Sequence, residues 1–285
     1  MSETTNSGVI PHIPLDQYKE AFAPFFNLDR SESGVLVAQM HTNGDSVEWG
    51  KGIHRALHQL TTLAAQDFEN EVFIIGGTGE NFIGSMAEEL TNATPEEIVA
   101  GIYDHVYYDG AKNCEGLVTE LEVPTIGVLN GPGFHTEIAL LCDITIASED
   151  AVIFDPHLAI NLVPGDGIQI ALRSAMGLKR ANYAMWTSEL IDAEAALRYG
   201  LVSEVVPKSE IYDRARELGE MLAMKPRTVR RLATDVLRAP LRQAMARELR
   251  GSLGVEMFAV LATELPNGVQ AEEKVGSIMS ETSSQ

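Results

Sequence analysis

Apolar and polar positions along this chain alternate between two textures. Short, β-branched-rich runs at 34–41 (GVLVAQMH), 71–76 (EVFIIG), 123–129 (VPTIGVL), 144–147, 152–154 and 201–206 (LVSEVV) read as strands, most of them buried. Between them the apolar positions take a helical period, with Ile53, Leu57, Leu60 and Ala64 inside 50–67, and Ile102, Val106 and Leu117 inside 98–121. Further helices are predicted at 168–176, 180–185 and 192–199, the last capped by Asp192 and stopped by Gly200. Beyond residue 206 the pattern is helical only: 209–224, 226–238 and 240–265, with Pro226 and Pro240 suited to first turns.

Alternating strands and helices followed by a helical end predict an α/β core over 26–206 and a C-terminal helical module over 207–266. With no further sheet to cover, the apolar faces of that module point to a partner subunit. Residues 1–25 are expected to be a mobile N-terminal arm, although 15–26, with Phe22, Phe25 and Phe26, reads as a short helix or an extended lead-in. The small, polar tail at 267–285 is expected to be disordered.

Bulk properties narrow the function classes. The net charge of −20 argues against a nucleic-acid surface and against binding to anionic membranes. It also disfavours a polyanionic ligand such as a CoA thioester. Two cysteines, Cys114 and Cys142, sit among apolar neighbours and are too few for a disulfide framework, as expected of a cytoplasmic protein. The N-terminal residues have no basic and apolar pattern of a secretory signal, and no apolar run is long enough to span a membrane.

Chemistry-bearing residues concentrate in 123–169. Asn130-Gly131-Pro132-Gly133 breaks an apolar strand and leads to His135 and Glu137; Pro156-His157 leaves a later strand; Val163-Pro164-Gly165-Asp166-Gly167 turns tightly into a helix. Both histidines therefore stand where strands end and helices begin, the usual place for chemistry in an α/β scaffold. Other candidates are set aside. Gly76-Gly77-Thr78-Gly79 lacks the spacing of a dinucleotide fingerprint, and Ser85 lacks the flanking glycines of a nucleophile elbow. His54 and His58, one turn apart, are expected at the surface, and no metal-binding spacing is present.

Several segments resemble the crotonase (enoyl-CoA hydratase/isomerase) superfamily: EVFIIGGTGENFIGSM, VPTIGVLNG, LCDITIASEDAVIFDPHLAINLVPGDG and MWTSELIDAEAALRYGLVSEVVP, in that order. The resemblance implies a spiral of ββα units with C-terminal helices that build trimers or dimers of trimers. The chain departs from that pattern at its oxyanion segment, where Gly131-Pro132-Gly133-Phe134-His135-Thr136-Glu137 replaces a Gly-Gly-Gly run before a glutamate. His157 stands where the hydratases carry their second glutamate, and Asp166 replaces a small residue. His135-Thr136-Glu137-Ile138, Pro156-His157 and Trp49 resemble instead the β-diketone hydrolase branch.

That resemblance implies hydrolysis of a C–C bond in a cyclic or bicyclic diketone without a cofactor or a metal. His157 is suited to take a proton from water, and Asp166, across a turn, to hold the imidazole. His135, at a helix start, is expected to be a neutral donor to an oxyanion or enolate. Trp49 and Glu256 enter by resemblance as substrate-binding residues, and Glu137 reads as a helix-start carboxylate. The alternative is an acyl-CoA hydratase, isomerase or hydrolase.

Overall fold

The computed structural model, which describes residues 13–263 and 268–282, gathers the apolar runs into one six-stranded sheet. Its spatial order is Phe26–Arg30, Val35–Met40, Val72–Gly76, Thr125–Leu129, Ile144–Ser148 and Glu204–Val206. The first two pair antiparallel, Phe26 opposite Met40, and the others run parallel. Parallel strands covered on both faces explain the unbroken apolar runs.

One face packs on Lys51–Gln66, whose Ile53, Leu57, Leu60 and Ala64 join Leu36, Phe73, Ile75 and Leu129 in the main core. The opposite face, with Val35, Val37, Ile74, Ile126 and Val128, receives Ile211, Ala215 and Leu218 of the helix Ile211–Ala223. This helix was expected to need a partner subunit; it covers the sheet instead. Two small sheets complete the frame: Val47–Trp49 beside Ile83–Met86, and Val152–Ile153 beside Ile191–Asp192.

Four expectations about the elements change. The helix expected over 98–121 is a longer helical path in which Ile102–Tyr108 and Gly116–Glu120 are π-helical, a geometry that periodicity does not reveal. The two helices expected on either side of Pro240 are one, Arg227–Ala262. The proline costs this helix a hydrogen bond to Val236, but Val236 lies on an exposed face where water can satisfy its carbonyl. The tail beyond 267 is not wholly disordered: Gly268–Thr282 is a helix whose Ala271 and Val275 are buried, and whose Glu272 accepts a 3.0 Å bond from the Met86 N–H. In the N-terminal arm, Leu15–Phe22 is a helix anchored by buried Leu15, Tyr18 and Phe22. Residues 1–12, 264–267 and 283–285, parts of the arm, helix and tail expectations, lie outside the described residues. No helix among those described is long and apolar enough to cross a membrane.

The long helix is pinned to the core through Arg238. Its buried guanidinium makes a bidentate pair with Asp143, and donates to the carbonyls of Leu117 (3.1 Å), Leu121 (2.7 Å) and Val123 (3.1 Å). Asp143 in turn accepts from the Thr125 N–H at 2.8 Å, so one arginine ties the helix to a strand edge and a turn. Removing one partner of such a pair strands the other charge and several carbonyls. Arg238→Met should therefore lower unfolding free energy by about 3–5 kcal/mol in urea titrations, whereas a loss under about 1 kcal/mol would show that the network is dispensable.

Candidate active site

The turns singled out in the sequence converge on a cavity of about 240 Å³. Trp49 ends its strand at the cavity wall, and its indole lies against the His135 ring with centroids 4.4 Å apart. His135 adopts φ 50°, a left-handed conformation uncommon for a side-chain-bearing residue, and this turns the chain from the glycine-rich segment into Glu137–Leu140. Its Nδ1 lies 2.8 Å from Glu137 and 3.3 Å from Asp166.

On the other side, His157 is buried, and its Nδ1 is 2.5 Å from Asp155 Oδ1, which also accepts the His157 backbone N–H at 3.1 Å. His157 Nε2 then lies 3.7 Å from Asp166 and 3.8 Å from Glu256. The tight turn makes this possible. A Cβ on Gly165 would meet the Ser252 carbonyl at 2.4 Å and Glu256 Oε2 at 2.9 Å, so only glycine lets the turn rest on the long helix.

The structure thus brings together His135, His157, Asp166, Trp49 and Glu256, with one change of partner. The carboxylate on His157 Nδ1 is Asp155, two residues before it, not Asp166; Asp166 lies between the two imidazoles. Glu137 does open the short helix, as expected of a helix-start carboxylate, and is in addition buried against His135. His54, expected at the surface, lines the cavity with its ring 5.1 Å from Trp49. His58 is also drawn inward, to 3.3 Å from buried Asp109.

The sequence model describing enoyl-CoA hydratase/isomerase matches residues 53–276. The chain belongs to the enoyl-CoA hydratase/isomerase family. Among solved relatives, a β-diketone hydrolase from the cyanobacterium Anabaena sp., bound to (S)-3-oxocyclohexyl acetic acid, is 30% identical with a TM-score of 0.75, covering 89% of this chain and 97% of that one. An enoyl-CoA hydratase from Mycobacterium avium subsp. paratuberculosis shares the fold at 21% identity and TM-score 0.73, covering 89% and 96%. Curated relatives include the fatty acid oxidation complex subunit alpha of Shewanella frigidimarina, 26% identical over 68% of this chain, and a short-chain-enoyl-CoA hydratase of Clostridium acetobutylicum, 38% identical over 36%. The matches span 28% and 40% of those two proteins' lengths.

Within this crotonase-family cavity the surroundings separate three histidines. Burial pushes His54 down to about 3, helped by the neighbouring His135, so it is neutral. Burial opposes charge on His135 too, but Glu137 and Asp166 outweigh it and raise His135 to about 10. The neutral imidazole expected from the helix start is therefore an imidazolium; two close carboxylates override the four-residue helix Glu137–Leu140. Burial likewise opposes charge on His157, yet Asp155, Asp166 and Glu256 hold it well above the usual imidazole range. Asp166 gains more from these imidazoles than burial costs it, and is held below the ordinary carboxylate range. Burial raises Glu256 to about 8, which makes it a neutral acid at pH 7.

His135, Glu137 and Asp166 also offer ligand atoms within 4.8 Å of one another, a set that fits a divalent cation. A cation there would have to displace the proton that His135 holds to about pH 10.

The Glu256 shift fixes a sign. Its folded pKa of about 8 exceeds the ordinary value of 4.5, so the folded state binds more protons between these limits and loses stability as pH rises through them. Glu256→Gln removes that loss. The variant's melting temperature, relative to the parent, should rise progressively from about pH 5 to about pH 9; a difference independent of pH would contradict a raised Glu256.

Proposed function

We propose that this enzyme hydrolyses a C–C bond of a cyclic or bicyclic β-diketone by a retro-Claisen reaction, giving a keto acid. The observation that carries the reading is the opposition of two differently held imidazoles across one cavity. His157 is oriented through Nδ1 by Asp155, leaving Nε2 for water; His135 is occupied at Nδ1 by Glu137 and Asp166, leaving its Nε2–H as a donor.

Water oxygen bonds to one carbonyl carbon while His157 Nε2 takes a water proton, and the oxyanion formed accepts from His135. Collapse of the adduct re-forms the carbonyl and breaks the C–C bond, whose electron pair leaves as the enolate of the second ketone. The enolate carbon takes a proton from neutral Glu256, and His157 returns its own proton to Glu256 or to solvent. The new carboxylic acid ionises. Because Asp155, Asp166 and Glu256 favour protonated His157, the rate should climb with pH through an apparent pKa above 6.5.

An acyl-CoA hydratase or isomerase is the second reading, supported by the names of the curated relatives and by Glu137. Against it, the Gly133 N–H in the glycine-rich segment donates to the Val152 carbonyl at 3.2 Å and is not free for a thioester oxyanion. The diketone fits better.

The test offers the purified protein cyclic 1,3-diketones in oxygen-18 water, and crotonyl-CoA in parallel. The proposal expects a keto acid with one solvent oxygen in its new carboxylate, made by the parent, abolished in His157→Ala and slowed roughly 10³–10⁴-fold in Asp155→Asn through loss of the correct tautomer. Hydration of crotonyl-CoA with inert diketones would overturn it.

A further inference from the structure

The catalytic cavity has a second room. A mainly apolar chamber of about 220 Å³, between Ile98, Ile102 and Val260, adjoins it, and both are bordered by Lys51, Leu90, His105, Val106, Leu162 and Glu256. Lys51 and His105 also border an open surface groove beside Phe25 and Arg55. These two residues therefore stand where inner cavity, outer chamber and solvent-facing groove meet. One comes from the first turn of Lys51–Gln66, the other from the π-helical stretch Ile102–Tyr108.

Lys51 is the one lysine or arginine on the walls of either chamber among the described residues. It is half-buried, and its ammonium makes no ion pair among those residues. Glu97 is near enough to feel its charge without pairing, and Glu89 is engaged by the Lys51 backbone N–H at 2.6 Å. Such a cation, beside an apolar chamber that weakens solvent screening, is suited to hold an anion.

The reaction proposed above makes one. A neutral ring diketone becomes a carboxylate inside walls that include Glu137, Asp155 and Asp166. Coulomb repulsion drives the new anion from those carboxylates, and the nearest unpaired cation along the chamber walls is at the junction.

We propose that Lys51 is the binding residue for the keto-acid product's carboxylate, holding it at the junction between the catalytic cavity and the outer chamber while the product leaves. This assignment rests on the C–C hydrolase reading and names the product class: a keto acid with an apolar body in the chambers and its carboxylate at Lys51.

The test measures binding, not turnover. The protein is titrated calorimetrically at neutral pH with 3-oxocyclohexyl acetic acid and with its primary amide, in the parent, Lys51→Met and Lys51→Arg. A charge-assisted contact of this kind predicts that the parent prefers the acid, and that Lys51→Met weakens acid binding roughly tenfold to a hundredfold while the amide changes less than about twofold. Lys51→Arg should retain the preference. An acid preference undiminished in Lys51→Met would overturn the Lys51 assignment alone. Failure of the parent to bind either compound, together with inert diketones, would overturn the hydrolase reading and this assignment with it.

Discussion

Charge buried beside charge is the constraint on which this molecule depends. Two imidazoles and the carboxylates of Glu137, Asp155, Asp166 and Glu256 share one small cavity with Trp49, Phe134 and Phe154. An isolated ion there would be costly to desolvate; paired and oriented, these groups hold one another in place. The pairing demands close approach of chain segments far apart in sequence. Gly165 lets its turn rest on the long helix, His135 bends its backbone left-handed, and Arg238 anchors the helix that carries Glu256. Stability and site geometry thus share the same contacts.

The family frame is shared with relatives named as enoyl-CoA hydratases, and within it this chain's cavity holds its protons unevenly. One residue type is held in opposite ways: His54 is kept neutral by burial, whereas neighbouring carboxylates favour the charged form of His135 and of His157, the latter oriented through Nδ1 by Asp155. Pushing titratable groups apart by their surroundings lets one cavity contain both an acid and a base near neutral pH. Glu256, neutral by burial, and Asp166, ionised by its imidazole neighbours, show the same division among carboxylates.

Much of the fold was legible because its signals are local. The parallel strands announce themselves as unbroken apolar runs, and Asp192 caps its helix at Ala195 as expected. The site was legible to the level of turns: His135, His157 and Asp166 occupy strand-to-helix junctions, and they meet. What escaped is set by orientation and by long-range packing. Asp155 lay beside His157 in the sequence, but which nitrogen faces which carboxylate follows from the ring's rotamer. His54 looked like one half of an exposed pair because no periodicity shows Trp49 folding over it. The terminal helix hid in a polar composition, its stripe of Ala271 and Val275 too short to stand out before a surface was there to receive it. Pro240 read as a boundary because the cost of a proline inside a helix is local, whereas the contacts that outweigh it come from elsewhere in the chain.

The central claim, that the cavity's carboxylates hold His135 as an imidazolium while His54 stays neutral, is open to direct measurement. Nitrogen-15 NMR of the histidine rings, assigned by His135→Gln and His54→Gln and followed across pH, reads both states at once. The account predicts that His135 keeps both ring protons until about pH 10 and that His54 gains no second proton until about pH 3. Titration of either ring near 6.5, the value of an unperturbed imidazole, would contradict it.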